Sequence, residues 1–527
     1  MMYRYNETTI RQRRIKFIIL ILWFCLVLLM VWHHAFWRDE VRALSLVKQS
    51  DSILSMIGGL HWEGHPALWY LMLRAAYFVF GEPWVLPMMS VMVGTAAVLL
   101  LVLRSPFGWG FIALLVFSKA MLFEYSVMAR NYGISMLLLF SLAACYQRYR
   151  ERNIVLGVLL FLLANTNLHS VLLTGAFLLF WLIDIVGEQG IRRTPAVRIY
   201  LLNAGIAVLG VIACVATLRP PFNDIIGGEG VWGGGSLVNK LLWAFFVPEG
   251  SVRLILFHHW PAATHLDEIK AVLGSLLVFG SLLGLVRWPA AFLAALMALI
   301  ALSVFFSVVY PAYYRHAGLF VCFLVIMYWI TREQTPRSEL PLPAWMQRLV
   351  TPVVALGWGT MIFVVALQTV GGIAVAAGAV RDQVPFSRSR DFGMFVRQHP
   401  ELQNAIIMAD PDIMVEALPY YIDNPTYLTR EARFGNADKL TKNARLNLNL
   451  ADILTTARAL HARRGDPILI LLAYNLDADQ PQVYEEGPAW RTHTTPEEVR
   501  SFLASTRLLI RFEPAQSDET YAVYLLE

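Results

Sequence analysis

Pro66-Ala-Leu-Trp-Tyr-Leu-Met-Leu-Arg74-Ala-Ala-Tyr-Phe-Val-Phe80 is the run on which the topology of this chain turns. It is apolar enough to be counted with membrane helices, yet it is short, opens on Pro66 and carries Arg74 at its middle. A crossing helix needs roughly 20 mostly apolar residues. Candidate runs surround it at 17–34, 84–103, 106–123, 133–147, 154–168, 169–186, 199–218, 271–286, 289–309, 317–330 and 350–378. Short loops rich in Lys and Arg stay cytoplasmic, and Arg11, Arg13, Arg14 and Lys16 place the N-terminus there. If 66–80 crosses as well, Arg104, Arg148, Arg150, Arg152, Arg192, Arg193, Arg198, Arg287, Arg332, Arg337 and Arg348 all fall outside. If it does not cross, all of them fall inside.

The run therefore reads as an amphipathic helix lying on the outer membrane surface. The fold expected is a polytopic α-helical membrane protein with about 11 transmembrane helices, followed by a C-terminal soluble α/β domain. The first part is residues 1–380 and the second 381–527. The N-terminus is cytoplasmic and the C-terminal domain extracytoplasmic, which places the chain in the cell inner (plasma) membrane as a multi-pass protein. The first apolar run lacks a small-residue cleavage site and reads as a signal anchor and first span. The outer face collects the loop 35–83, short loops near 124–132 and 310–316, and a long loop 219–270. The Gly-rich run 227–235 in that long loop suits neither helix nor strand and reads as a mobile cover for a site.

Composition fits this division. The chain is 57% hydrophobic, with a mean hydropathy of +0.54. Residues 1–380 hold 27 basic and 17 acidic residues, whereas residues 381–527 hold 16 and 21. The tail is about a quarter charged, as water-soluble domains are. Basic residues lie between apolar runs rather than in one patch, which speaks against nucleic acid as a partner. The four cysteines, Cys25, Cys145, Cys214 and Cys322, sit inside apolar runs and imply neither disulfides nor a metal knuckle.

In the tail, 405–409, 426–429, 467–473, 508–512 and 522–526 read as strands. Residues 388–399, 437–464 and 496–505 read as helices, with Thr495-Pro496-Glu-Glu a helix start. No Gly-rich phosphate loop occurs there, so catalysis is not placed in this domain.

Polar groups at the edge of an apolar bundle are costly, and functional by default. Trp37-Arg38-Asp39-Glu40 follows the first span. It is either a solvated turn or, with Asp39 or Glu40 placed at a hydroxyl, a general base. His61-Trp-Glu63-Gly-His65 opens the surface helix; its side chains face either headgroups or the same cleft as Asp39. Two histidines four apart are a weak metal signal. Glu124-Tyr125 to Arg130-Asn131-Tyr132 lies between spans three and four, where Arg130 either snorkels to lipid or pairs with a phosphate. Tyr313-Tyr-Arg315-His316 repeats that pattern before a late span. His258, His259 and His265 with Asp267 read as surface histidines before a metal cluster.

The order and sidedness of these motifs resemble the GT-C superfamily of polyprenyl-phosphate-sugar-dependent glycosyltransferases, in particular the protein O-mannosyltransferases and the lipid A aminoarabinose transferase. Asp39-Glu40 matches their acid pair after span one, and Glu63-Gly-His65-Pro66-Ala-Leu matches their motif before a surface helix. Tyr125-Ser-Val-Met-Ala-Arg130-Asn131-Tyr132 matches their string before span four, with Asn131 in place of Pro. The likeness covers residues 15–150, the later spans loosely, and not 381–527. It implies an inverting transferase acting outside the cytoplasm on a polyprenyl-phosphate-linked sugar, with a lipid, glycan or protein acceptor and membrane lipids as further partners.

On that reading Asp39 is the general base, with Glu40 beside it in the catalytic pair. Glu63, His65, His61, Glu124 and Tyr132 hold sugar or acceptor. Arg130, Arg315, His316 and Arg219 hold the lipid phosphate. No cofactor is certain, and a divalent metal remains open. Competing readings are a lipid or sugar transporter or flippase, which predicts midplane charges and internal repeats, an O-antigen-ligase-like transferase, and a non-catalytic membrane sensor.

Overall fold

The computed structural model describes residues 2–190, 194–219, 236–255, 266–334, 344–381, 384–439, 441–486 and 489–527. The Gly-rich run 227–235 and His258, His259 and His265 lie outside the described residues.

The chain opens with α1 (Met2–His33), then three shorter helices: α2 (Arg38–Gln49), α3 (Ile53–Gly58) and α4 (Leu68–Phe80). The bundle continues with α5 (Val85–Arg104), α6 (Trp109–Val116), a π-turn at Ala120–Glu124, α7 (Tyr132–Tyr149), α8 (Val155–Ala164), α9 (Leu168–Gln189) and α10 (Pro195–Leu218). After α11 (Leu237–Phe246) and α12 (Pro248–Val252) come α13 (Leu266–Leu282), α14 (Pro289–Val308), α15 (Tyr314–Glu333) and α16 (Ala344–Val380).

Eight of these helices are long and apolar enough to cross a membrane: 11–33, 85–104, 168–188, 195–218, 267–285, 289–308, 314–333 and 347–380. They correspond to eight of the expected spans, whereas α6, the π-turn, α7 and α8, which cover the expected spans 106–123, 133–147 and 154–168, fall short of that length and apolarity. The expected span 106–123 is broken by the π-turn, and the 154–168 and 169–186 boundary falls at Asn165–Asn167, where Asn167 accepts from Ser170 N–H and starts α9. The loop 219–270 is not all loop, because α11 and α12 lie in it.

The run 66–80 forms α4, which is short for a crossing helix. Its 13 residues reach about 20 Å, short of the ~30 Å hydrocarbon core. Arg74 turns back and donates to the carbonyls of Val47 (3.3 Å) and Ser50 (2.8 Å), capping the C-terminal end of α2. Trp69, Tyr70, Leu73 and Ala76 are buried, while Phe78, Val79 and Phe80 at its end are exposed.

Polar contacts separate the two ends of the bundle. At one end Arg150 pairs with Asp184 (2.8 Å) and Glu188 (2.8 Å), and Arg287 donates to Thr351. At the other lie Asp39, Arg130, His169 and Arg315. α15 joins the two and is buried on every face from His316 to Thr331, so it forms the bundle's axis.

The C-terminal region is a three-layer α/β structure. A six-stranded sheet has the order Arg433–Phe434 (β3), Thr426–Leu428 (β2), Ile406–Asp410 (β1), Ile468–Leu472 (β5), Tyr521–Leu526 (β9), Arg507–Phe512 (β8). β1 is parallel to β2 and β5, and β9 is antiparallel to β5 and β8. Successive side chains of a strand face opposite ways. Ile407 and Leu469 therefore pack with Phe392 of α17 (Ser389–Gln398), while Ile406 and Ile468 pack with Ile453 of α18 (Leu450–Arg464) and Phe502 of α19 (Pro496–Ser505). Burial on both faces explains the unbroken apolar runs of β1 and β5.

A second sheet, Asn447–Asn449 (β4), Trp490–Thr494 (β7) and Gln482–Glu486 (β6), is not apparent from the sequence. The helix expected over 437–464 begins only at Leu450. Asn449 and Asp452 close a capping box there, and Asn447–Asn449 pairs with β7 instead.

Candidate active site

Adjacent residues on a helix point about 100° apart, and this separates Asp39 from Glu40. Glu40 is fully buried. Its carboxylate contacts His34 Nε2 at 2.9 and 3.2 Å and accepts the backbone N–H of Trp37 (3.2 Å) and of Ala129 (2.6 Å). It thus ties the end of α1, the start of α2 and the loop before Arg130 into one unit. Asp39 points the other way, with about a third of its side chain exposed, into an ion pair with Arg130 and 3.6 Å from Arg315 Nη2. Burial opposes its ionisation. The charges of Arg130, Arg315 and Arg38 outweigh that and hold the carboxyl well below the usual carboxylate range.

Arg130 is held by the loop 125–131. Ser90 Oγ donates to the carbonyls of Ser126 (3.2 Å) and Met128 (2.9 Å), and Tyr125 Oη donates to the Arg315 carbonyl (2.8 Å), which links the two arginine-bearing segments. Gly133 permits this fold-back, because a Cβ there would stand 2.5 Å from the Tyr125 carbonyl oxygen. Arg130 Nη2 donates to His65 Nε2 at 2.7 Å. His65 Nε2 must therefore accept, so the ring is neutral with its proton on Nδ1. Burial, reinforced by Arg130, pushes His65 well below the ordinary histidine range. Arg315 lies over the rings of Trp37 (5.3 Å) and Tyr313 (4.9 Å). Tyr132, wholly buried, stands edge-on to His65 at 6.1 Å and 5.4 Å from His316.

The structure thus brings together Asp39, His65, Arg130, Tyr132, Arg315 and His316, drawn from four separate stretches of sequence. It draws others aside. Glu63 accepts from Arg42 (2.7–3.0 Å) and from Tyr70 Oη (3.3 Å). His61 sits on the 3-10 turn Leu60–Trp62, half-buried. Glu124 is buried 3.7 Å from Lys119. Arg219 is exposed at the end of α10. Among the described residues no group of His, Cys, Asp and Glu is arranged to hold a metal ion. Asp267, of the cluster with the histidines outside the described residues, pairs with Lys270 at 3.1 Å.

Two features of the site are not anticipated from sequence. His169, at the start of α9, stacks on His316 with ring centroids 4.4 Å apart and planes 18° from parallel. The C-terminal region docks directly on α2. Arg38 donates to both oxygens of Asp518 (2.7 and 2.8 Å), its N–H donates to Glu519 (2.8 Å), Arg42 pairs with Glu416, and Tyr421 Oη accepts from Phe36 N–H (2.7 Å). Both arginines that flank Asp39 and Glu40 in sequence are so occupied.

Beside the site is a cavity of about 1290 Å³. His34, Lys119, Glu124, Tyr314 and Arg390 line its polar side, and the Gly- and Ala-rich face of α16 near Gly371 to Ala379 lines its apolar side.

Fold and site together describe a polytopic helical membrane protein whose ionic cluster lies where the bundle meets a sheet-containing C-terminal region. Among solved structures the chain is similar to ArnT from Cupriavidus metallidurans bound to undecaprenyl phosphate, at 13% identity over 97% of each chain and a TM-score of 0.47. No family model and no curated protein sequence matches the chain.

Proposed function

We propose that this protein is an inverting membrane glycosyltransferase that moves a sugar from a polyprenyl-phosphate-linked donor to an acceptor on the extracytoplasmic face. The observation that carries the reading is the Asp39–Arg130–Arg315 cluster: one ionised carboxylate between two cations, at one end of an apolar bundle.

Asp39 accepts the proton of the acceptor hydroxyl as that oxygen bonds to the sugar's anomeric carbon. The bond from that carbon to the phosphate oxygen breaks on the opposite face, so the configuration inverts. The polyprenyl phosphate leaves with an added negative charge, which Arg130 and Arg315 stabilise through charge-assisted hydrogen bonds. At rest both arginines depress the basicity of Asp39. When a donor phosphate engages them, part of that field is withdrawn and the carboxylate becomes a better base at the moment it is needed. Glu40, buried and fully engaged, acts as a positioning residue for Asp39 and Arg130.

The apolar wall and charged rim of the adjoining cavity suit an amphiphile entering sideways from the membrane. The positive-inside rule supports an orientation with the Arg150 end inside and the cluster and C-terminal region outside.

The test is consumption of labelled polyprenyl-phosphate sugars by membranes containing the full chain. Asp39→Asn should reduce transfer by a hundredfold or more, as loss of a general base does (about 10²–10⁴), with expression and melting unchanged. Full activity in that variant would sink the assignment.

A further inference from the structure

Four buried polar atoms beside the arginine cluster have no protein hydrogen-bond partner. They are both ring nitrogens of His169, the hydroxyl of Tyr132 and Nδ1 of His65. His169 is 5% exposed and Tyr132 is wholly buried. They form a continuous path: His65 edge-on to Tyr132, Tyr132 against His316, and His316 stacked on His169. A buried polar group left without a partner is destabilising, because it has given up its hydrogen bonds to water. Four such atoms in one path, which His65 joins through Arg130 to Asp39, mark a place built for a ligand.

The kind of ligand follows from the groups. His65 offers a donor at Nδ1, because Arg130 occupies Nε2. A tyrosine hydroxyl donates and accepts, and a neutral imidazole does one at each nitrogen. A phosphate only accepts and an ammonium only donates, whereas a sugar hydroxyl does both and so matches the mixture. The surroundings carry Arg130 and Arg315 against Asp39, a positive balance that disfavours a cationic head group. Stacked rings at the base, His169 on His316 and Phe306 on His316 (6.2 Å, 19°), give a flat apolar floor.

We infer that His169 is a further substrate-contacting residue, and that with Tyr132 and His65 it reads the hydroxyls of a neutral sugar on the donor rather than an amino sugar. This deepens the reading above and rests on it.

The experiment uses the full chain in nanodiscs and compares binding of undecaprenyl phosphate with binding of undecaprenyl-phosphate hexose and its amino-sugar counterpart. The wild type should bind the hexose-loaded lipid more tightly than the bare lipid, and the amino sugar more weakly than the hexose. His169→Phe keeps the ring on His316 and Tyr132→Phe keeps the fold. Each should lower affinity for the loaded lipid roughly three- to tenfold, as loss of one hydrogen bond does, and leave the bare lipid unchanged. His169→Gln, which restores a donor and an acceptor, should recover part of the loss.

Equal losses for bare and loaded lipid would show a structural role and overturn the proposal. So would a wild-type preference for the amino sugar. If the wild type binds bare lipid but the variants keep the sugar increment, the subsite fails while the donor reading stands. If the wild type binds neither lipid, both fall.

Discussion

Asp39 and Glu40 are chemically alike and neighbours in sequence, and their fates differ because a helix turns one toward solvent and the other into protein. Asp39 keeps a third of its side chain exposed beside two arginines. Glu40 has every oxygen engaged, bridging His34, Trp37 and Ala129. Glu40→Ala leaves the His34 ring and the Ala129 N–H buried without an acceptor, and should destabilise the protein by about 3–5 kcal/mol, read as a lower melting temperature in detergent. Glu40→Gln keeps one carbonyl oxygen and should retain the fold with partial transfer. Were Glu40 itself the base, Glu40→Gln would be as inactive as Asp39→Asn while melting normally.

At the scale of elements, the site depends on a chain reversal between the π-turn and α7. The Tyr125 carbonyl lies where a side chain on residue 133 would begin, and the Tyr125 hydroxyl holds the Arg315 backbone. Gly133→Ala therefore forces Tyr125 away and loosens both arginine segments at once. We expect an overpacking cost of about 1–3 kcal/mol and a loss of transfer larger than that cost implies. Gly175→Ala is the control: its added methyl would meet only Met297 Cε, at 4.0 Å, and a helix gains from Ala in place of Gly. Equal activity losses in the two variants would show that the reversal has no special role. α4 makes the same point in another way, because Arg74 serves the C-terminal carbonyls of α2, the helix that carries Asp39.

At the scale of the molecule, the C-terminal region and the bundle share a buried ionic seam. Burial pushes Glu416 up to about 7 despite Arg42, and Glu519 up to about 7 despite Arg38. A carboxyl whose pKa is raised on docking binds more protons docked than free, so its contribution is complete below the ordinary glutamate range, near 4.3, and is lost as pH rises through about 7. Protease resistance of the docked region should therefore be greater at pH 5 than at pH 8. Glu416→Gln with Glu519→Gln should flatten that difference. A pH dependence that survives the double substitution would place its origin elsewhere.

Periodicity and apolar length, both local properties, determined the class of fold: a bundle of apolar helices followed by a region that contains β-sheet. Counting crossings by arginine placement led to the expectation that Asp39, His65, Arg130 and Arg315 share one end, and these four do meet. Only the tertiary structure decided which of those polar groups meet. Glu63 turns to Arg42 and Glu124 to Lys119, because the folded backbone and not charge composition selects among the arginines and lysines within reach.

His169 had a signal, the polar string Asn165-Thr-Asn167-Leu-His169-Ser170 between two apolar runs, but nothing local says that it stacks on His316. The edge strands of the second sheet were illegible for a similar reason: β4 and β6 acquire their structure from β7 and not from their own apolar pattern. The seam on α2 is the extreme case. Arg38 and Arg42 meet carboxylates more than 370 positions further along the chain, a pairing that charge composition permits and that only folding selects.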